Sequence, residues 1–335
     1  MKAVVLHKPD LIEKNPLKVE DLPIPKPAES QVLVKVEACG VCHSNLHMIE
    51  GDWLKYGNPA KLPITPGHEI AGKVDELGEK VTDFRIGQKV GLSPLWSTCG
   101  RCEYCLRGED NLCLHRQITG ETVDGGYAEY ILANVSNLFV TPDNLSPTDA
   151  ASLFCPGLTS YAAVKKANLS PTNRVAIFGI GGIGHMAIQF ARLYGAQVFA
   201  VSRRPHHLQV AQELGAEVID ASTTNAVEEL NKRGGVHSSI ISAPSNEVAN
   251  QALEVTKRKG SIITVVNANL DFMFAGEHTV VGSILGTKTD MREVLNLAGA
   301  QKVKVIHEDY SLDEANRVLQ KLKGGEIRAR AILTP

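Results

Sequence analysis

Several things that whole classes of protein require are missing from these 335 residues. Charge of one sign is not in surplus: 35 Lys and Arg stand against 37 Asp and Glu, net −2 at pH 7, which leaves no basic excess to grip nucleic acid. Long apolar runs are absent. The longest weakly polar stretch, Val175 to Gly184, is too short to span a membrane and contains four glycines. The N-terminal segment MKAVVLHKPDLIEK is charged at Lys2, Lys8 and Asp10 and has no apolar signal core, so export is not expected and a cytoplasmic location is. Internal repeats and low-complexity tracts are also lacking. What is there, 43% hydrophobic and 21% charged residues, suffices for a large core, and the length suggests about two domains.

The seven cysteines, Cys39, Cys42, Cys99, Cys102, Cys105, Cys113 and Cys155, are odd in number and unevenly spread, unlike a secreted disulfide framework. Four of them, Cys99, Cys102, Cys105 and Cys113, fall within fifteen residues. Four thiolates at this spacing can close a tetrahedral shell around Zn²⁺ with no open position, which makes such a site structural. The alternative is four redox-active or merely buried thiols.

Short alternating runs such as Gln31–Glu37, broken by Pro23, Pro25 and Pro27, predict small antiparallel strands and a partly open β-barrel over the first ninety or so residues. The texture changes near residue 170, after the turn Ser170–Asn173. Strands are predicted at 174–178, 197–201, 238–241, 261–265 and 279–284, with helices at 182–194 and 208–214; this alternation implies an α/β, doubly wound parallel sheet. Two helical stretches between 291 and 322 precede a last strand at 328–333.

Between a predicted strand and a predicted helix lies Gly179-Ile-Gly181-Gly182-Ile183-Gly184. Glycines here allow a tight turn and close backbone approach, and the helix N-terminus offers N–H groups to a pyrophosphate. The end of the next strand bears on the cofactor. Where an NAD site places an acid for the ribose hydroxyls, this chain has Ser202 followed by Arg203 and Arg204. Guanidinium groups suit a 2′-phosphate, which favours NADP(H) over NAD(H). The alternative is a pair of solvated arginines beside a permissive NAD site.

Taken with Cys42-His43-Ser44-Asn45, Gly67-His68-Glu69 and the ending Gly325–Arg330, these motifs resemble the zinc-dependent alcohol dehydrogenases of the medium-chain dehydrogenase/reductase superfamily, especially their tetrameric yeast-like and archaeal branch. The resemblance covers essentially the whole chain. It implies a GroES-like catalytic domain over 1–155 and 291–335 and a Rossmann domain over 156–290. It also implies a small alcohol, aldehyde or ketone as substrate, one catalytic and one structural zinc, and a homo-oligomer, dimer or tetramer. Position by position it implies Cys42, His68 and Cys155 as catalytic zinc ligands, with Glu69 beside the metal. Ser44 and His47 match a proton relay, His43 a pyrophosphate contact and Thr159 a nicotinamide contact. Trp53 and Trp96 fall in segments that often line the substrate pocket.

One departure stands out: Asn45 occupies the place of the aspartate that usually partners the zinc-bound histidine, and Arg330 resembles the arginine that normally meets that aspartate. A neutral amide lacks the charge that raises ligand basicity, so weaker zinc retention or a more electrophilic metal is expected. Cys39 is expected to be plain core rather than a thiol near the zinc, and His206 and His207 to be exposed, the alternative being that they border the adenine. The other readings are a polyol or other specialised dehydrogenase, which Cys155 argues against, and a zinc- or nucleotide-binding relative without turnover.

Overall fold

The long strand Gln31–Gly40 organises the larger of two units. Its apolar residues Val32, Leu33, Val34 and Val36 are buried while Lys35 is exposed. The computed structural model describes residues 1–335 and divides into Met1–Cys155 with Thr287–Gln301 and Val305–Pro335, and Pro156–Gly286 with Lys302–Lys304. In the first unit a seven-stranded sheet runs in the order His307–Ser311, Arg330–Thr334, Gln31–Gly40, Ile70–Leu77, Lys89–Leu92, Leu138–Val140, and Tyr130–Asn134 also pairs with Gln31–Gly40. Gln31–Gly40 lies antiparallel to Ile70–Leu77, with Val34 opposite Val74 and Cys39 opposite Ile70. Two register shifts in this pairing bend the strands, as a curled sheet demands. Valines, leucines and isoleucines from these strands, with Tyr127, form the core.

The second unit is a six-stranded all-parallel sheet in the order Glu217–Asp220, Gln197–Ser202, Arg174–Phe178, Val236–Ile241, Thr256–Thr264, Thr279–Gly282. This is the doubly wound arrangement, and strand order reverses beside Arg174–Phe178. Strands and helices predicted from the sequence lie within a few residues of those observed; the helix predicted at 208–214 starts earlier, at Pro205, whose ring suits a first helical turn. No helix is long and apolar enough to cross a membrane.

Among the elements that escape the sequence pattern are Pro147–Ala151, Leu158–Lys166, Glu217–Asp220, Ala226–Lys232, Asn246–Val255 and His307–Ser311. The last reads HEDYS, with no apolar alternation, because it is an edge strand paired only with Arg330–Thr334. Its anchor is electrostatic. His307 Nδ1 lies 2.6 Å from Asp309, and Nε2 lies 3.5 Å from Asp149 of the helix Pro147–Ala151. Asp149, first, and Asp309 raise the His307 pKa against the effect of burial.

A histidine whose folded pKa is raised stabilises the fold in full below its unfolded value of about 6.5, and that contribution disappears as pH rises through the folded value. His307→Gln is therefore expected to cost about 0.5–1 kcal/mol at pH 6 and markedly less at pH 9. Thermal melts at the two pH values measure this; an equal loss at both would remove the electrostatic account.

Candidate active site

Strand pairing brings the first cluster together. Gln31–Gly40 ends two residues before Cys42, which caps the helix His43–Glu50, and His68 and Glu69 immediately precede the antiparallel neighbour Ile70–Leu77. Gly40 N–H donates to Glu69 C=O at 2.8 Å and fixes the two ends side by side. Cys155 arrives from a π-helical turn, Leu153–Gly157, that contains Pro156; a proline has no N–H to give, and such turns recur at functional sites. One ligand atom from each of Cys42, His68, Glu69 and Cys155 lies within 4.8 Å of all the others.

This set suits a divalent metal. His68 Nε2 is buried with no hydrogen-bond partner, whereas Nδ1 has Asn45 Nδ2 at 3.3 Å, so Nε2 is the nitrogen left for coordination. Hydrogen bonding to Cys155, followed by His68, holds the Cys42 thiol well below its ordinary pKa. The thiolate is the ligating form. Gly67 is required just before His68. Its φ is +99°, and a Cβ there would sit 2.5 Å from the Tyr127 ring and 2.9 Å from Cys39 Sγ.

Around this centre the side chains are ordered by contact. Ser44 Oγ is 3.5 Å from Cys42 Sγ. His47 hydrogen-bonds Asp52 through Nδ1 at 2.8 Å and stacks on Trp53 with centroids 5.8 Å apart, which gives Trp53 a packing role. Trp96 donates to the Leu132 carbonyl at 3.3 Å, and His43 is exposed at the first turn of its helix. Arg330 is paired with the buried carboxylate of Glu69, its Nε 3.1 Å from Oε2. Arg330 resembles the arginine that in the family meets an aspartate at the Asn45 position; its ion pair here is with Glu69, since the last strand pairs antiparallel with the strand that ends at Gly40. Asn45 sits between His68 and the Tyr127 hydroxyl, which donates to its Oδ1 at 3.4 Å. Cys39 is fully buried and its thiol is pushed up by burial, in keeping with a core residue.

One residue at this centre was not singled out from sequence. Glu121 is buried with Oε1 4.0 Å from His68 Nδ1 and Oε2 accepting from Asn58 Nδ2 at 3.3 Å. Burial raises its pKa to about 7 against the opposing pull of His68. Nothing in the local run Gly120-Glu121-Thr122 marks it, since the contact depends on a chain separation of more than fifty residues.

The second cluster is the lobe of Cys99, Cys102, Cys105 and Cys113, whose sulfurs all lie within 4.8 Å of one another. Backbone amides point at them: Cys99 N–H donates to Cys113 Sγ at 3.3 Å, Cys102 N–H to Cys99 Sγ at 3.3 Å and His115 N–H to Cys113 Sγ at 3.4 Å. A backbone hydrogen bond lowers Cys102 to about 6, while desolvation raises Cys105 to about 12. Four close thiols cannot all ionise without a cation, and four sulfurs complete a tetrahedral zinc shell.

In the second unit the glycine turn follows the strand Arg174–Phe178 and opens the helix Gly182–Leu193. Gly179 has φ +93°, a Cβ on Gly184 would sit 2.0 Å from the Gly179 carbonyl, and one on Gly181 would meet nothing. Close helix–strand packing beside open space over Gly181 is what a pyrophosphate needs. Thr159 is buried in the helix Leu158–Lys166, which is tied to this turn by Ser160 donating to the Ile183 carbonyl at 2.8 Å. Ser202 ends its strand and accepts from Arg204 N–H at 3.2 Å, with both Arg203 and Arg204 exposed. His206 and His207 are half-buried and stacked edge to face at 4.4 Å, contrary to the expected exposure; the helix starting at Pro205 folds them back against each other.

Residues 28–143 match the family model of the alcohol dehydrogenase GroES-like domain and residues 182–300 that of the zinc-binding dehydrogenases. An alcohol dehydrogenase of Geobacillus stearothermophilus is 40% identical over 342 residues, covering 99% of this chain and 98% of the relative. An NAD-dependent alcohol dehydrogenase of Sulfurisphaera tokodaii is 36% identical over 96% of this chain and 97% of the relative. The crystal structure of an alcohol dehydrogenase from Aeropyrum pernix superposes with a TM-score of 0.92 at 33% identity, with complete coverage of both chains. With these likenesses running from end to end of the chain, over a curled GroES-like sheet and a Rossmann-type sheet, the protein belongs to the zinc-type alcohol dehydrogenases of the medium-chain dehydrogenase/reductase superfamily.

Proposed function

We propose that this protein is a zinc-dependent alcohol dehydrogenase that interconverts small alcohols with aldehydes or ketones and prefers NADP(H) to NAD(H). The observation that carries the reading is the convergence of Cys42, His68 and Cys155, with His68 Nε2 buried and unpartnered. Cys42, His68 and Cys155 would hold a zinc ion, which would supply Lewis acidity, and the glycine turn would hold a nicotinamide dinucleotide, which would supply the hydride chemistry.

The chain's own residues handle the proton and the charge. Ser44 relays the alcohol proton, its hydroxyl oxygen accepting it as its own hydroxyl proton moves on toward His47, and His47, half-exposed and oriented by Asp52 and Trp53, passes it to solvent. Glu69, kept in place by Arg330, lies against the ligand cluster, where its carboxylate would assist the exchange of water for substrate. Gly179, Gly181, Gly182, Ile183 and Gly184 present backbone to the pyrophosphate, with His43 as a further contact and Thr159 against the nicotinamide. Ser202, Arg203 and Arg204 hold the 2′-phosphate. The lobe of Cys99, Cys102, Cys105 and Cys113 binds a second, structural zinc. A homo-oligomer is part of the same reading: Thr279–Gly282 is an edge strand with Val280 exposed, and the nearby Met273 and Phe274 are exposed too.

The NAD-dependent relative favours a second reading, in which the arginines are solvated and NAD(H) is preferred. Initial rates with short primary and secondary alcohols, NADP⁺ and NAD⁺ supplied separately, decide between them. A preference for NADP⁺, with Arg203→Ala/Arg204→Ala raising the KM for NADP⁺ about 10–100-fold and leaving that for NAD⁺ unchanged, is expected. An NAD⁺ preference withdraws the phosphate assignment.

Metal analysis tests the two centres separately. Cys42→Ser is expected to reduce bound zinc from two per chain to one and the rate by about a thousandfold or more. Cys105→Ser should lose the other metal and lower the melting temperature. Full metal content and turnover in Cys42→Ser would refute the ligand set.

A further inference from the structure

His68 presents two nitrogens to different surroundings. Nε2 is the one left for a metal; the other, Nδ1, must then carry a hydrogen and needs an acceptor. Asn45 Nδ2 is 3.3 Å away, and a half-turn of the amide places Oδ1 there instead, with Nδ2 turned to the Tyr127 oxygen. In either orientation Asn45 is neutral. It orients the ring but supplies no charge. The carboxylate that faces Nδ1 is Glu121, with Oε1 at 4.0 Å.

The position of Glu121 is fixed by backbone contacts. Gly125 N–H donates to the Thr65 carbonyl at 2.7 Å and Gly126 N–H to the Gly67 carbonyl at 2.9 Å, and Thr65 N–H donates to Asp124 Oδ1 at 3.1 Å. Gly120 packs so closely that a Cβ on it would sit 2.7 Å from the Gly67 nitrogen. The turn that bears Glu121 is thus zipped to the residue before the metal ligand. Glu121 Oε2 takes a hydrogen bond from Asn58, which aims the other oxygen at the imidazole. A buried carboxylate is costly unless something nearby uses its charge.

We propose that Glu121 is a positioning residue for His68: its carboxylate supplies the negative charge beside the imidazole N–H that Asn45 does not, and so strengthens the hold of Nε2 on the catalytic zinc. In effect the carboxylate partner comes from a different chain segment. This inference rests on zinc being held by Cys42, His68 and Cys155.

The test is zinc affinity, measured by chelator competition on the full chain with the four-cysteine site as internal reference, alongside absorption spectra of the cobalt-substituted catalytic site. E121Q keeps the shape and removes the charge. It is expected to weaken zinc at the catalytic site about 10–100-fold and to shift the cobalt spectrum, leaving the four-cysteine metal in place. N45D restores the carboxylate from the other side. It should change little in the wild-type background and recover at least about tenfold in the E121Q background, the non-additivity expected of two groups that act on one imidazole.

If the wild type holds only the four-cysteine metal, the zinc reading falls and this inference with it. If the wild type holds two metals and E121Q holds both equally well with an unchanged spectrum, this inference alone is overturned. Should E121Q lose both metals through misfolding, N45D/E121Q decides: recovery of both supports the proposal, and failure to recover either overturns it.

Discussion

The ion pair between Glu69 and Arg330 is the constraint on which the catalytic unit depends. Both side chains are almost wholly withdrawn from water. Breaking such a pair leaves an uncompensated buried charge, at a cost of about 3–5 kcal/mol. The pair can form because Arg330 begins the last strand and that strand crosses the first long one, Ile332 opposite Gly40 and Leu333 opposite Cys39. Gly40 in turn must be glycine, since a Cβ would lie 2.0 Å from Glu69 Oε2. Sequence ends nearly three hundred residues apart are locked together at the point from which Cys42 and His68 project.

Arg330 also contributes to the electrostatics of the centre. Desolvation lowers the Arg330 pKa, and the nearby thiols of Cys42 and Cys39 draw it back up. The guanidinium in turn opposes the burial that pushes the Cys39 thiol up and adds a smaller pull to the Cys42 thiol, whose lowering comes first from Cys155. The two thiols nonetheless behave oppositely. At Cys39 burial outweighs the guanidinium and pushes the thiol up, the side chain being packed between Gly67 and Gly126. Cys42, three residues on, gains Cys155 and His68 and is held down. The lowered thiol lies just beyond the strand end and the raised one inside it.

What the sequence made legible was whatever is local. The glycine turn with its flanking strand and helix, the four-cysteine lobe and the run of parallel strands all lie within short windows, where period and spacing carry the information. The convergence of Cys42, His68 and Cys155 came only through family resemblance, because residue spacing carries no distance across a sheet. Glu121 was invisible for the same reason: its role comes from a turn zipped onto Thr65 and Gly67. The edge strand His307–Ser311 was missed because half of each edge residue faces water and the apolar alternation is gone.

The two candidate metal centres differ less in donors than in what surrounds them. The four-cysteine lobe is made within one short segment, its sulfurs are partly exposed apart from Cys113, and its outer contacts are backbone amides. Amides stabilise thiolates but cannot exchange protons in the useful range, so such a shell has nothing to do but hold. The Cys42, His68 and Cys155 centre draws on three segments and is ringed by side chains that can each carry or shift a proton or a charge: Ser44, Glu69, Glu121 and Arg330. Burying so many ionisable groups together is unfavourable for folding and is tolerated only because each has a partner in place. That density, more than the ligand set itself, is what distinguishes the surroundings of the two candidate centres.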